Sequence, residues 1–538
     1  MTRERRERLF AFGLTAAAFA FVLFPLFGYV PIWDGRVYAN CAVEAAASGI
    51  TFESLRCAGH PSQGYAFFLA ASQLVRLGDV SLLHLTNTLL GLLALACIRV
   101  VLRVLFPAPG LARELDLVTL ACAMHPVLLS TLIQVNIDFG VYVFFFAVLA
   151  ALLTERFALA TLAGVFLCFS KETGVLVYSL TLGLYALFRL SEGEGAPGAR
   201  LRRLAALSVT PVPLVVFAVH VLWWNRTHVQ AAVWKHGWQS GAMDGFNFFD
   251  LSDPIFVSYA AGLFVLGFMW VVSAAIGTDL LVAGVRTARR LPDRPVPGAH
   301  VRSVAFLGVV TAVLTYALTS FRTWSNLRYF ALLYPLFVML AFSAMLRLGM
   351  GARARTLALG LCIGLFAWAS FRSADPLSRL VYGTFSIGDR SMYRMASITG
   401  EFHGPGRDQL VYNLEFVGYH DVQNAVFRRV RPGDSTTFAA SRSVRWNIWS
   451  QLNARTLRRT LERRDVIVPR YADEVDLAAN PGRPAEVWFF EFTNHADDDR
   501  ALESLGAFYD DREIVRVHAG GHVLRAHHLV RRESPVVP

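Results

Sequence analysis

With 538 residues, the chain is 55% hydrophobic and only 17% charged, and its formal net charge is +11. A soluble domain carries roughly a quarter charged residues, so this composition excludes an ordinary soluble protein. The positive charge gives no support to nucleic-acid binding, because the arginines lie mainly in short gaps between long apolar runs, where membrane topology explains them.

Long apolar runs repeat up to residue 371, each about as long as a helix that crosses a bilayer. Hydropathy predicts about eleven spanning helices, at 9–28, 80–105, 115–134, 139–153, 157–170, 173–190, 204–222, 255–285, 303–321, 329–346 and 355–371. Beyond residue 371 the chain turns to mixed charge and short apolar runs. The sequence therefore predicts a polytopic α-helical transmembrane domain, 1–371, with a first outer loop at 29–79, followed by a soluble α/β domain, 372–538.

The distribution of arginine predicts the orientation. Gaps rich in arginine alternate with loops that are poorer in cations, and cytoplasmic loops carry the excess of positive charge. The N-terminus is then cytoplasmic, and an odd number of helices places the C-terminal domain outside. We expect a multi-pass protein of the bacterial inner membrane, in which the short apolar segment 63–77 lies flat on the membrane surface as an amphipathic helix.

The C-terminal domain shows strand and helix patterns but no nucleotide-binding motif. Strands are predicted at 410–414, 465–468 and 486–492 and in a hairpin of 513–517 with 522–525, and helices at 453–464 and 497–506. The chain has no Walker loop and no glycine-rich dinucleotide fingerprint. No cofactor is therefore indicated and no metal ligand is assigned, although a divalent metal stays open.

The first outer loop places a carboxylate beside a cation and a phenol. Asp34 follows the first helix, where water meets lipid, with Arg36 and Tyr38 close behind it. Loss of water raises the pKa of a carboxylate and a nearby cation lowers it, so Asp34 is a candidate base in a tuned environment. The alternative is that Asp34 only caps a short helix.

Two further polar clusters interrupt apolar sequence. Lys171 and Glu172 separate two predicted helices, and charges at membrane depth usually face a cavity or each other. A lysine that snorkels from an interfacial turn is the alternative. Arg328 and Tyr329 stand at the entry to another helix, where they could bind a phosphate or simply anchor the aromatic belt. Asp138 is a further carboxylate at an outer helix end.

Taken in order, these clusters resemble the motifs of the GT-C membrane glycosyltransferases. The branch most similar contains the protein O-mannosyltransferases and the aminoarabinose transferases of lipid A. That branch carries an Asp-Glu pair followed by Tyr, a His/Lys-Pro-Pro segment, a Ser-Lys-Glu-x-Gly segment and an Arg-Tyr with a later Pro. The matching residues here are Asp34 with Tyr38, His60-Pro61-Ser62, Ser170 to Gly174, and Arg328-Tyr329 with Pro335; Gly35 stands in place of the second acid.

The resemblance implies a GT-C-like fold and an inverting transfer of sugar from a polyprenyl-phosphate donor to an acceptor outside the membrane. Asp34 would be the base, and the donor phosphate would be bound by Lys171, Arg328, Tyr329 and Arg36. Tyr38, His60, Asp138 and Glu172 are further site candidates. The implied partners are the lipid-linked sugar, membrane lipid and a glycan, lipid or protein acceptor, with no nucleic acid.

Two other functions remain open from the sequence. A transporter or flippase for lipid-linked glycans would also need many helices and a cationic phosphate site, although internal repeats are not evident here. An inactive GT-C-like scaffold is the other alternative, because Gly35 replaces an acid.

Two cysteines share the first outer loop. Cys41 and Cys57 are predicted to form a disulfide, because the loop is expected to face an oxidising compartment. The alternative is a pair of free buried thiols. The other four cysteines lie in apolar runs and are predicted to be inert.

Overall fold

The computed structural model describes residues 3–31, 33–57, 60–191, 205–227, 254–292, 298–320, 326–372, 374–382, 384–387, 390–393, 410, 419–430, 435–441, 468–480, 482–491, 496–519 and 522–533. Up to residue 382, this part of the chain is almost entirely helical. Its α-helices are α1 (Arg3–Leu23), α2 (Trp33–Ser48), α3 (Gln63–Gln73), α4 (Val80–Leu105), α5 (Ala112–Ala123), α6 (Pro126–Ile133), α7 (Ile137–Leu153), α8 (Phe157–Cys168), α9 (Glu172–Ser191), α10 (Val212–Thr227), α11 (Pro254–Phe264), α12 (Met269–Ala288), α13 (Val301–Thr319), α14 (Leu333–Arg347), α15 (Ala352–Phe371) and α16 (Pro376–Tyr382).

Several of these helices are long and apolar enough to cross a membrane. Within the described residues they number five: Val80–Leu105, Glu172–Ser191, Leu266–Ala288, Val301–Thr319 and Ala352–Phe371. A sixth span results if the bent pair Pro109–Ala123 and Pro126–Ile133 is counted as one. The remaining apolar helices are shorter, so a membrane protein with multiple helices is supported, while the count of eleven stays a prediction.

Two predicted helices are broken in the structure. The helix predicted at 115–134 is the pair α5 and α6, which meet at an angle of 56°. Pro126 begins α6, where its missing N–H costs no hydrogen bond. The helix predicted at 255–285 is interrupted before α12, where Gly267 and Phe268 have positive φ. The Asp375 carboxylate stabilises this break by accepting hydrogen bonds from the Phe268 N–H and the Trp270 Nε1–H.

The first outer loop is more structured than its polar composition suggested. It contains α2, which begins at Trp33, and α3, which occupies the segment predicted to lie flat on the membrane. Most of α3 is buried against neighbouring helices, but Phe67 is exposed, as are Leu74 and Val75 just beyond its end. A helix is thus confirmed over Gln63–Gln73, with one face buried against protein, and its position on the membrane surface stays a prediction.

The C-terminal part contains a two-stranded and a five-stranded sheet, as expected for an α/β domain. The larger sheet has the order β4-β3-β5-β7-β6, in which β3 is parallel to β4 and β5 and the other pairs are antiparallel. The strands are β1 (Thr384–Ile387), β2 (Arg390–Tyr393), β3 (Ser435–Ala440), β4 (Val468–Asp473), β5 (Glu486–Glu491), β6 (Tyr509–Ala519) and β7 (His522–Arg531), and the helices are α17 (Tyr419–Phe427), α18 (Glu474–Ala479) and α19 (Ala496–Leu505).

The sequence predicted part of this domain. The predicted hairpin is confirmed as β6 and β7, which are longer than expected, and β5 and α19 are confirmed close to their predicted bounds. The strand predicted at 410–414 is wrong at Leu410, which is helical. Residues 411–414, 465–467 and the predicted helix 453–464 lie outside the described residues. Strand β3 was missed, since its small and hydroxylated residues give a weak strand pattern.

Candidate active site

Four charged side chains that are distant in sequence meet at one place. The Lys171 Nζ lies 2.7 Å from the Asp138 Oδ1, and the Arg328 Nε lies 3.4 Å from the Asp138 Oδ2. Another guanidinium nitrogen of Arg328 contacts the Asp34 carboxylate. The side chains of Asp138, Arg328 and Lys171 are at most 9% exposed, whereas that of Asp34 is 32% exposed. The cluster therefore has a buried interior and one carboxylate open to the outside.

Helix ends position all four residues. Asp34 lies in the first turn of α2 and Asp138 in the first turn of α7, where negative charge is favoured by the helix dipole. Asn136 caps α7 by accepting a hydrogen bond from the Asp138 N–H at 3.1 Å. Lys171 lies in the turn between α8 and α9, and Arg328 in a 3-10 turn that precedes α14. All four charged side chains therefore lie at helix ends, where they contact one another.

Two tyrosines complete the cluster. The Lys171 Nζ lies 3.8 Å from the centre of the Tyr329 ring, a cation–π contact. Tyr38, on α2, is buried and interacts electrostatically with Asp34. Burial raises the pKa of Tyr38 well above its ordinary value, and Asp34 raises it further. Burial and the charge of Asp34 thus both favour the protonated phenol of Tyr38.

Glu172 and His60 form a second pair beside the first cluster. The His60 Nδ1 lies 3.0 Å from the Glu172 Oε2, so the partner of Glu172 is a histidine and the partner of its neighbour Lys171 is Asp138. The peptide N–H of Gly64 donates to the Phe169 carbonyl at 2.7 Å, which joins the start of α3 to this turn. The structure thus brings together His60 and Glu172, which are 112 residues apart.

The close packing around Gly35 leaves no room for the acidic side chain that the resemblance predicts at this position. A Cβ atom at Gly35 would overlap the main-chain carbonyl of Gln134, because α2 approaches that turn very closely. Position 35 can therefore carry no side chain in this packing. Arg36, the next residue, is fully buried, and its expected role in binding phosphate stays a prediction.

A disulfide joins Cys41 to Cys57 in the structure. Cys41 lies on α2, seven residues after Asp34, and Cys57 forms a β-bridge with His60. The bond therefore connects the helix that carries Asp34 with the turn that carries His60.

An apolar groove of about 490 Å³ lies next to the turn that carries Lys171. It is bounded by α3, α8, α10 and the loop before α3, and Phe169, two residues before Lys171, forms part of its wall. Its lining residues are Phe52, Leu55, Gln63, Gly64, Phe67, Val165, Phe166, Phe169, Val216, Val219 and His220. Sequence reasoning missed this groove, because its walls are ordinary apolar residues from three separated helices.

The carboxylates of the cluster were compared with the requirements of a metal site. Across the part of the chain that the structure describes, no group of three His, Cys, Asp or Glu residues is placed to hold a metal ion. The guanidinium of Arg328 contacts both Asp34 and Asp138 and supplies the positive charge there. We assign no metal ligand to these residues.

Comparison with known proteins identifies the fold. No family model matches the sequence, and no curated protein matches it. The structure is similar to ArnT from Cupriavidus metallidurans bound to undecaprenyl phosphate, with a TM-score of 0.50, 13% identity and coverage of 95% of this chain and 97% of that chain. The apo form of ArnT gives a TM-score of 0.50 and 12% identity over the same shares.

A weaker similarity is found to the oligosaccharyltransferase AglB from Archaeoglobus fulgidus, with a TM-score of 0.46, 10% identity and coverage of 99% of this chain and 75% of that chain. The similarity to ArnT extends over almost the whole of both chains, so the fold expected from the resemblance is supported. At this level of identity the similarity concerns the fold.

Proposed function

We propose that the protein transfers a sugar from a polyprenyl-phosphate donor to an acceptor at the extracytoplasmic face of the bacterial inner membrane. The observation that carries this proposal is an apolar groove next to the turn of Lys171, together with the cluster of two cations and two carboxylates to which Lys171 belongs. A polyprenyl-phosphate sugar has the matching parts, since an isoprenoid chain fits an apolar groove and its phosphate needs cations at the end of it. The ArnT structure with the same fold contains undecaprenyl phosphate, which supports this donor class.

Each part of the cluster has a role in the proposed reaction. Asp34, the exposed carboxylate, takes the proton from the acceptor hydroxyl or amine. The acceptor atom attacks the anomeric carbon while the bond from that carbon to the phosphate oxygen breaks, and the polyprenyl phosphate leaves with the electron pair. Lys171 and Arg328 stabilise the negative charge that grows on this leaving group. A single displacement of this kind inverts the anomeric centre.

The proposed orientation follows from the same chemistry. A donor phosphate lies at a membrane surface. The four charged residues lie at helix ends, and we place these ends at the boundary of the apolar layer. We place these ends outside, the N-terminus in the cytoplasm and the soluble domain, 372–538, on the side of the site. We place the domain boundary between residues 371 and 372, after the end of α15 at Phe371.

Membranes that contain the protein would be supplied with radiolabelled undecaprenyl-phosphate sugars, and transfer of label to endogenous acceptors would be measured. We expect transfer with the native chain and none with Asp34→Asn. Movement of the intact labelled lipid from one leaflet to the other, without covalent transfer of its sugar, would instead indicate a flippase. Intact donor binding without transfer, for every sugar tried, would indicate an inactive scaffold.

Filling the groove tests its role separately. Val219 lines the groove, and Val215, one turn earlier on α10, does not, although both side chains are 59% exposed. Val219→Trp should weaken binding of undecaprenyl phosphate while sparing a short-chain analogue with the same phosphate. Val215→Trp is the matched control, and an equal effect of both variants on the long-chain lipid would remove the groove from the proposal.

A further inference from the structure

The guanidinium of Arg328 contacts two carboxylates, those of Asp138 and Asp34, which differ in burial. Its Nε lies 3.4 Å from the Asp138 Oδ2, and another of its nitrogens contacts Asp34. Asp138 is 4% exposed and also holds Lys171 at 2.7 Å, whereas Asp34 is 32% exposed. One partner of Arg328 is therefore fixed within the protein, and the other borders the open side of the cluster.

The contacts of the two cations indicate which carboxylate a bound phosphate would displace. Lys171 and Arg328 both contact carboxylates, so a phosphate that binds these cations competes with Asp34 or Asp138 for them. Removing Asp138 from the cations would leave a buried carboxylate without compensation, which is costly. Asp34 can leave Arg328 and remain in contact with water, so its displacement costs far less.

We propose that the donor phosphate takes Arg328 from Asp34, so that the catalytic base is released only after the donor has bound. The inference rests on the proposed function and adds an order of events to it. Before the donor binds, the guanidinium of Arg328 forms an ion pair with Asp34, the carboxylate that must later accept a proton. Donor binding moves this cation to the phosphate, and Asp34 then faces the acceptor. The enzyme thereby binds the donor before it activates an acceptor.

The geometry around Asp138 allows this exchange. The Asp138 Oδ2 accepts no hydrogen bond among the described residues, although it lies near the Arg328 Nε. A rotation of the guanidinium away from Asp34 can therefore form a hydrogen bond to Asp138 while it turns its outer nitrogens to the phosphate. Lys171 keeps its own bond to the Asp138 Oδ1 throughout.

The test is the affinity for undecaprenyl phosphate, measured in detergent with the full chain. If Asp34 competes with the phosphate, Asp34→Asn should bind this lipid about threefold to tenfold more tightly than the native chain, although it no longer transfers sugar. Asp34→Ser serves the same purpose should the amide fold poorly. Asp79→Asn is the matched control, because Asp79 caps α4 and pairs with Arg76 away from the cluster.

Each outcome decides the matter. Tighter binding by the Asp34 variants, with an unchanged Asp79 variant, supports the exchange. Equal or weaker binding by the Asp34 variants overturns it while leaving the proposed function intact. Absence of binding in the native chain and in both Asp34 variants would overturn the proposed donor class itself, and with it this inference.

Discussion

Lys171 forms its ion pair with Asp138, at 2.7 Å, although Glu172 is its immediate neighbour in the chain. Glu172 pairs instead with His60. The ion pair between Lys171 and Asp138 therefore joins the turn between α8 and α9 to α7. Both cations that would hold a donor phosphate, Lys171 and Arg328, contact the same buried carboxylate, that of Asp138. The same contact therefore stabilises the fold and positions the proposed phosphate site.

Removing Lys171 should for this reason affect stability and binding together. Breaking a buried ion pair by deleting one partner costs about 3–5 kcal/mol, so Lys171→Ala should lower thermal stability as well as donor affinity. The double variant Lys171→Met with Asp138→Asn removes both charges and should recover most of the stability while donor affinity stays low. Thermal unfolding and lipid binding in detergent would be recorded in parallel. Native affinity in the double variant would show that Lys171 has no part in binding the phosphate.

Asp34→Asn should abolish transfer with little loss of stability. The amide keeps the shape of the side chain but cannot accept the proton, and loss of a general base typically costs about 10²–10⁴-fold in rate. Turnover would be measured with saturating donor, and Asp79→Asn would be the control. A near-normal rate in the Asp34 variant would exclude Asp34 as the base.

Any side chain at Gly35 should disturb the packing of α2. The overlap with the Gln134 carbonyl involves main-chain atoms that cannot rotate away, so even Gly35→Ala must shift the helix. Overpacking of this kind costs about 1–3 kcal/mol, and activity should fall because Asp34 is the preceding residue. Gly183→Ala, in α9, is the control, since its Cβ would enter open space. An active and equally stable Gly35→Glu variant would contradict the steric explanation for the missing acid.

The disulfide should stabilise the outer loop. In the chain-entropy model, closing a loop of about 15 residues contributes roughly 3 kcal/mol, and here the two cysteines are separated by 16 positions. Replacing Cys41 and Cys57 together with serine should lower the melting temperature, and reductant should have a similar effect on the native chain. Cys97→Ser is the control. Peptide mapping without reductant that finds both thiols free to alkylate would refute the prediction.

The C-terminal sheet should depend on pH through His527. This side chain lies between Asp511, at 2.6 Å, and Glu491, at 3.4 Å. Burial lowers the pKa of His527, but its hydrogen bonds to Glu491 and Asp511 outweigh burial and raise the pKa above 6.5. The hydrogen bond from His527 in turn holds the pKa of Glu491 below 4.5.

A raised pKa in the folded state gives stability that is complete below the unfolded pKa and lost as the pH rises through the folded one, and a lowered pKa gives the reverse. The pair should therefore stabilise β5 and β7 most between pH 4.5 and 6.5. Hydrogen exchange of the full chain should show less protection of these strands at pH 8 than at pH 6. His527→Gln should remove this difference, whereas the exposed His518 can be replaced without effect. Equal protection of the native chain at both pH values would disprove the assignment.

Hydropathy alone determined the main elements of the membrane part. The helix α4 has the predicted bounds, Val80–Leu105, because a continuous apolar run in lipid must satisfy its backbone hydrogen bonds internally. Local patterns likewise gave the hairpin of β6 and β7 and the helix α19. The candidate site residues Asp34, Lys171 and Arg328 were also recognisable, because charges that interrupt apolar runs are costly and therefore rare.

Tertiary structure alone decided how these residues are paired. Asp34 and Arg328 are 294 residues apart, and Lys171 and Asp138 are 33 apart, so no local pattern in the chain could relate them. Helix packing brings these helix ends together, so that Lys171 pairs with Asp138 and Arg328 contacts both Asp34 and Asp138. The groove next to the turn of Lys171 and the lack of room at Gly35 arise in the same way, since both depend on how closely separate helices approach each other.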